Sequence, residues 1–213
     1  IILHTGKGSI IWSIVLLLSC FAILFFIFSG FSMTLKRRKS KTTISNKYKK
    51  DEAEFVILVG SETGSTFNFA NAFYKALLKI NKKVFITTLN EYTTYKNAKN
   101  IIIFTATYGD GEAPINANKF IDLSNKIKQQ KTLKFAVVGF GSKAYPEFCK
   151  FAILAHANLQ IHENFIPTLP VFKIDNQSFD SFKIWLKQWN FNNQLVLNIH
   201  QEDIVKSSKE DIN

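Results

Sequence analysis

The chain has 213 residues, 46% of them hydrophobic, with only two cysteines and a formal net charge of +11. That composition excludes a disordered chain and a disulfide-stapled scaffold, and leaves room for one ordinary domain plus additions. The charge is not a nucleic-acid signature: residues 1–53 carry nine Lys/Arg against two acids, residues 54–213 carry 18 Lys against 14 acids, and Arg37 and Arg38 are the only arginines. The forks that read base edges are therefore missing from the folded part, and no nucleic-acid partner is expected.

From Gly8 to Leu35 there is no charged residue, and the run GSIIWSIVLLLSCFAILFFIFSGFSMTL exceeds the ~20 residues that cross a ~30 Å hydrocarbon core. A secretory signal, the rival reading, carries its basic residues before a shorter apolar run. Here the dense charge, Lys36-Arg37-Arg38-Lys39 and Lys41, comes after the run. We therefore expect a transmembrane helix over 10–35 in the inner (cell) membrane. The positive-inside rule places Lys36 and the chain beyond it in the cytoplasm, with residues 1–9 on the other side. Ser13, Ser19, Ser29, Gly30 and Ser32 offer a small-residue face for other membrane helices, or plain composition. The chain opens on Ile1, so an upstream region is expected to be missing. Residues 36–53 read as a basic juxtamembrane linker drawn to anionic headgroups.

The central stretch is FVILVGSETGSTFNFANAF, residues 55–73. Its apolar β-branched run reads as a buried parallel strand. Phe69, Ala72, Phe73, Ala76 and Leu77 then recur at helical spacing. Between them Ser61, Glu62, Thr63, Gly64, Ser65 and Thr66 form a turn where a strand's carboxyl end meets a helix's amino end, the place where open α/β sheets bind ligands. Free N–H groups, the helix dipole and four hydroxyls favour an anion there, and no Lys comes after the glycine as in GxxxxGK[ST]. A phosphomonoester held by neutral donors is one reading; a hydroxyl-rich N-cap without a ligand is the other.

Strands are expected at 83–89, 100–105 and 135–139, and helices at 115–130, at 147–159 and from Phe179 to Trp189. A further strand lies within 161–173, broken by Pro167 and Pro170. The alternation implies a parallel sheet covered on both faces. Residues 191–213 return to a polar connector with one apolar piece, Leu195-Val196-Leu197. Two more loops come after strands on the same edge: Thr105-Ala106-Thr107-Tyr108-Gly109-Asp110-Gly111-Glu112 and Gly139-Phe140-Gly141-Ser142-Lys143-Ala144-Tyr145, with Phe148 beyond. Two tyrosines on one rim make a slot for a flat ring, or merely cover the core. Cys20 and Cys149 are expected as reduced thiols, and His156, His162 and His200 in structural or surface places. No catalytic triad or metal cluster is evident.

SETGST, TATYGDGEAP and GFGSKAYPEF resemble the three flavin-binding loops of flavodoxin-like domains of the diflavin reductase and sulfite reductase flavoprotein type. The resemblance covers about 54–190. It implies a doubly wound five-stranded α/β sheet, order 2-1-3-4-5, with FMN as cofactor and an FAD/NADPH-binding reductase module as partner. By it, Ser61, Thr63, Gly64, Ser65 and Thr66 hold the phosphate, with Glu62 in the same loop. Tyr108 and Tyr145 flank the isoalloxazine. Gly109, Gly111, Gly139 and Gly141 supply backbone to the ring edge, and Thr105, Ala106, Thr107, Asp110, Phe140 and Phe148 complete the site. Two departures stand out: the acids of the middle loop are reversed, and 171–176 holds one acid where the type carries a cluster. LHTGKG and FSGFSMTLKRRK resemble the last membrane helix of PepSY-type proteins, which implies haem-bearing membrane helices as partners and His4 as a haem ligand or a plain interfacial histidine. The function implied is a membrane-tethered FMN electron carrier that does not turn over NADPH alone. The alternatives are the FMN half of a membrane-anchored diflavin reductase and a flavin-free binding module.

Overall fold

The computed structural model describes residues 10–39, 45–61 and 63–210, with the side chains of 33–39 and 206–210 left aside. His4 and Glu62 lie outside the described residues. The chain divides into two units, Ile1–Thr43 and Ile44–Asn213.

The described part of the first unit is one helix, α1, Ile10–Lys39. Its segment Ile10–Ser32 is long and apolar enough to cross a membrane. At ~1.5 Å per residue it spans roughly 34 Å. Its large side chains, including Trp12, Phe25, Phe28 and Phe31, are exposed, and Ser19 Oγ donates back to Leu16 O at 2.9 Å instead of presenting an unpaired hydroxyl.

The second unit is built on a parallel sheet in the order β2-β1-β3-β4-β5, with β6 also on β4. Its strands are β1 Phe55–Gly60, β2 Val84–Thr88, β3 Asn100–Ala106, β4 Leu133–Gly141, β5 Phe165–Pro167 and β6 Phe172–Asp175. Central strand β1 reads FVILVG and is buried at every position, as a strand covered on both faces must be. Helices α2 Ser65–Lys79 and α5 Phe179–Asn193 cover one face, and α3 Phe120–Lys126 and α4 Lys150–Gln160 the other. The first face is aromatic: Phe73 meets Phe104, Trp185 and Trp189 at centroid distances of 5.5, 5.4 and 4.9 Å. Burying each such ring contributes about 1.5–3 kcal/mol.

The fifth strand is split. β5 pairs with the start of β4 (Leu133↔Phe165) and β6 with its end (Val138↔Phe172). Pro167 and Pro170 have no N–H to give the ladder, and Thr168 bridges the gap through its N–H and hydroxyl to Phe135 O at 2.8 and 3.0 Å. Helix α3 is shorter than the expected 115–130. The Asn90 amide claims the backbone ahead of it, donating to Ile115 O at 2.7 Å and accepting from Lys119 N at 2.8 Å. Beyond it, buried Gln129 turns inward to Tyr92 Oη (2.8 Å), Thr93 O (2.9 Å) and Tyr95 N (3.1 Å). Each contact offers the backbone an alternative to helix.

The folded unit reaches past 54–190 at both ends. Asn46 brackets Ile86 on the open side of edge strand β2, giving 2.8 Å to its carbonyl and receiving 2.8 Å from its N–H. A side-chain amide thus closes an edge that would otherwise offer unpaired groups. Leu197, Ile199 and Ile204 are buried with the aromatic face, and helix α6, Gln201–Glu210, lies against α2. The Asn190 amide fixes the chain reversal, donating to Leu197 O at 3.0 Å and accepting from Leu197 N at 3.2 Å.

Candidate functional site

All three loops end at the carboxyl edge of β1, β3 and β4, because parallel strands start and stop in common register (Gly60↔Thr105, Thr105↔Gly139). They enclose a cavity of about 490 Å³, within the roughly 300–1,000 Å³ of small-molecule sites.

The first loop is shaped by Gly64, which stands at the N-cap of α2 with φ 86, a left-handed value open to glycine. Gly64 N donates to Ser61 Oγ at 3.0 Å, and Ser61 N to Asn116 Oδ1 at 2.9 Å, so Ser61 builds the turn from beneath. Thr63, Ser65 and Thr66 line the cavity. Thr63 Oγ1 and Ser65 Oγ lie 3.2 Å apart. Thr66 is 1% exposed, and its hydroxyl has no hydrogen-bond partner. An orphaned buried hydroxyl costs about 1–3 kcal/mol, and this one stands in the first turn of α2, where backbone N–H groups have no intrahelical partner.

The second loop is a tight reversal. Tyr108 N donates to Glu112 O at 2.9 Å and Glu112 N to Tyr108 O at 2.7 Å, with Gly109 and Gly111 at φ 51 and 98. Tyr108 consequently stands at the rim, 49% exposed, with Ala106, Thr107 and Gly109 on the cavity wall. Thr105 is buried below the cavity, and Asp110 and Gly111 lie at the far side of the reversal; these three do not line it. Thr107 N donates to Phe140 O at 3.0 Å and Thr107 Oγ1 accepts from Phe151 N at 3.3 Å, locking the second loop to the third.

From the third loop Phe140, Gly141, Tyr145 and Phe148 line the cavity. Tyr145, 66% exposed, is the second rim tyrosine. Phe140 is a core ring as well, 5.0 Å from Phe69. Gly139 does not line the cavity: a Cβ there would stand 2.5 Å from Ala152 Cβ, so its role is close packing of β4 on α4. Lys173 Nζ lies 5.7 Å from the Phe148 ring centroid, and Glu147 pairs with Lys150 at 3.1 Å.

Five lining residues were not among the expected site residues: Ser142 and Glu147, although they lie within GFGSKAYPEF, and Cys149, Asn176 and Gln177. Cys149, Asn176 and Gln177 hold left-handed φ values of 57, 45 and 56, rare for such residues and invisible in a sequence that puts no glycine there. Burial pushes the Cys149 thiol up to about 12, so it stays protonated and unreactive. Among the described residues, no group of His, Cys, Asp and Glu could hold a metal ion.

A parallel sheet with a hydroxyl-rich anion cradle under one end and two tyrosines over the other defines a class: α/β domains that hold a phosphorylated planar cofactor at the carboxyl edge of the sheet. The flavodoxin family matches residues 57–179, more than half of the chain, and the chain belongs to that family. Flavodoxins bind FMN, and FMN is the cofactor of this fold. The chain is 29% identical over 141 residues to the sulfite reductase [NADPH] flavoprotein alpha-component of Buchnera aphidicola subsp. Schizaphis graminum, covering 62% of this chain and 23% of the relative. It is 33% identical over 95 residues to the MioC homologue of Haemophilus influenzae, covering 44% of this chain and 64% of the relative. The fold resembles oxidised flavodoxin 1 from Bacillus cereus, with a TM-score of 0.50 at 19% identity over 74% of this chain and 94% of that one. The chain thus spans about a quarter of the sulfite reductase relative.

The residues fit FMN. The orphaned Thr66 hydroxyl and the first-turn N–H groups of α2 lack the acceptor that a phosphate provides. The cavity runs from them to the two rim tyrosines.

Proposed function

We propose that this chain is a membrane-tethered FMN electron carrier, fed by an FAD/NADPH reductase module and delivering electrons to an acceptor at or across the membrane, haem or ferric iron. FMN supplies the redox chemistry when bound, since it takes electrons in pairs or singly. The chain positions it. Ser61 and Gly64 shape the turn, and Thr63, Ser65, Thr66 and the α2 N-terminus would hold the phosphate. Ala106, Thr107, Gly109, Phe140 and Gly141 would line the ring, with Tyr108 and Tyr145 stacked on it, each contact contributing about 0.5–1.5 kcal/mol beyond burial. Asp110 and Glu112 stand on the second loop outside the cavity lining, and their charges would disfavour added negative charge on the bound flavin and so lower the potential for full reduction.

The observation that carries this reading is the cavity at the carboxyl ends of β1, β3 and β4, lined by Thr63, Ser65 and Thr66 on one side and by Tyr108 and Tyr145 on the other. The donor is supported by the NADPH-linked name of the sulfite reductase relative. The tether is supported by the apolar length of Ile10–Ser32, and its direction by the Lys36–Lys41 block. The PepSY-type resemblance of the span supports the acceptor.

Hydride transfer from a nicotinamide needs a seat beside the ring, and the sequence has no GxGxxG turn to make one. The FMN-loaded chain in detergent, mixed anaerobically with NADPH, is therefore expected to stay oxidised for minutes and to bleach once a separate FAD-containing NADPH reductase is added. Rapid bleaching by NADPH alone would overturn the carrier reading.

A further inference from the structure

One side chain reaches across the cavity from outside the three loops. Gln177 Nε2 donates to Ser65 Oγ at 2.9 Å, joining the loop after β6 to the first turn of α2. That loop is short and pinned at both ends. Asp175 still pairs with Gly141 in the sheet, and Ser178 caps α5 by accepting from Ser181 N at 3.2 Å. Between them Asn176 and Gln177 both take left-handed φ, held by Asn176 N to Gly141 O at 2.8 Å and Ser178 N to Asp175 O at 3.0 Å. Non-glycine residues keep such a conformation where the surroundings enforce it, and such places cluster at ligand clamps. The direction of the Gln177 side chain is thus set by a strand end and a helix cap.

A serine hydroxyl has one proton to give and two lone pairs to receive. The amide of Gln177 fills one lone pair of Ser65, so the Ser65 proton is left for another acceptor. Thr63 Oγ1, 3.2 Å away, is itself a hydroxyl able to donate in turn. The turn SETGST holds no Lys or Arg, so any anion here is met by neutral groups alone. Donors in series polarise one another and strengthen the last bond of the series.

We infer that Gln177 is a positioning residue for the phosphate of FMN, acting through Ser65 by turning that hydroxyl into a committed donor. The inference rests on the proposed FMN binding. It places the discrimination between FMN and riboflavin partly on a side chain remote in sequence from the phosphate turn. A positioning role through Ser65 concerns the phosphate end alone and leaves the ring contacts untouched.

The test titrates the cofactor-free full chain in detergent with FMN and with riboflavin, read by loss of flavin fluorescence. The wild type is expected to prefer FMN. Gln177→Ala is expected to weaken FMN roughly threefold to tenfold, the worth of one neutral hydrogen bond behind the Ser65 hydroxyl, and to leave riboflavin unchanged. Gln177→Glu, equal in size, puts an acceptor and a negative charge where the donor stood. It is expected to weaken FMN on the order of 100-fold, again sparing riboflavin. Riboflavin binding doubles as the check that each variant is folded. Equal losses for both flavins, or FMN binding unaffected in both variants, would overturn the inference. So would a wild type that binds the two flavins equally, though flavin binding itself would stand. A wild type that binds neither flavin would overturn the FMN reading and this inference with it.

Discussion

Thr66→Val is expected to move stability and cofactor affinity in opposite directions. Valine keeps the shape and the β-branch but removes the hydroxyl that has no partner inside the protein. Without FMN, deleting a buried unsatisfied group should stabilise the domain by about 1 kcal/mol, raising Tm by about 2–4 °C. With FMN, the same deletion removes a hydrogen bond to a charged group, worth about 1.5–3 kcal/mol, so affinity should fall roughly 10- to 100-fold. Thermal unfolding of the cofactor-free chain and an FMN titration measure the two halves. A variant that binds FMN like the wild type would show that the phosphate does not meet Thr66.

Gly139→Ala is expected to be strongly destabilising. The added Cβ would lie 2.5 Å from Ala152 Cβ and 3.1 Å from Cys149 Cβ. Both neighbours are fixed to the backbone of α4 and its cap, so no rotamer relieves the contact and strand and helix must part. Overpacking of that kind costs about 1–3 kcal/mol, a Tm loss of roughly 2–12 °C for a domain of this size. Because Gly141 and Phe148 lie next to the strained contact, FMN affinity should fall too. Ala152→Gly in the same chain opens space for the new methyl. The double variant should therefore recover part of the loss, even though glycine inside a helix costs about 1 kcal/mol. Melting curves of the two single variants and the double one decide it; strictly additive losses would remove the steric explanation.

The frame of the fold was legible where the chain uses continuous apolar runs. Residues 55–59, 100–105 and 135–139 all lie in strands, and Phe69, Ala72, Phe73, Ala76 and Leu77 form the buried face of α2. The three loops at one rim were legible for the same reason, since each comes directly after such a run. Side chains that satisfy distant backbone were not legible. Asn46 on Ile86, Asn90 on 115–119 and Asn190 on Leu197 each extend or trim an element through one amide, and no local periodicity reports them. The domain consequently holds residues 45–53 and 195–204, which read as linker and connector. In the site, the hydroxyls of the first loop were visible as donors. That Thr66 is buried without a partner, and that Gln177 bonds Ser65, depends on packing between segments far apart in sequence.

The central claim is that this cavity holds FMN, and the direct measurement is flavin content. The full chain, purified in detergent and incubated with excess FMN, should carry about one FMN per polypeptide after desalting, released on denaturation and measured by absorbance. Tyr108→Ala and Tyr145→Ala should each lower that occupancy by removing a stacking ring at the rim. A folded chain that stays colourless after the same incubation would contradict the account.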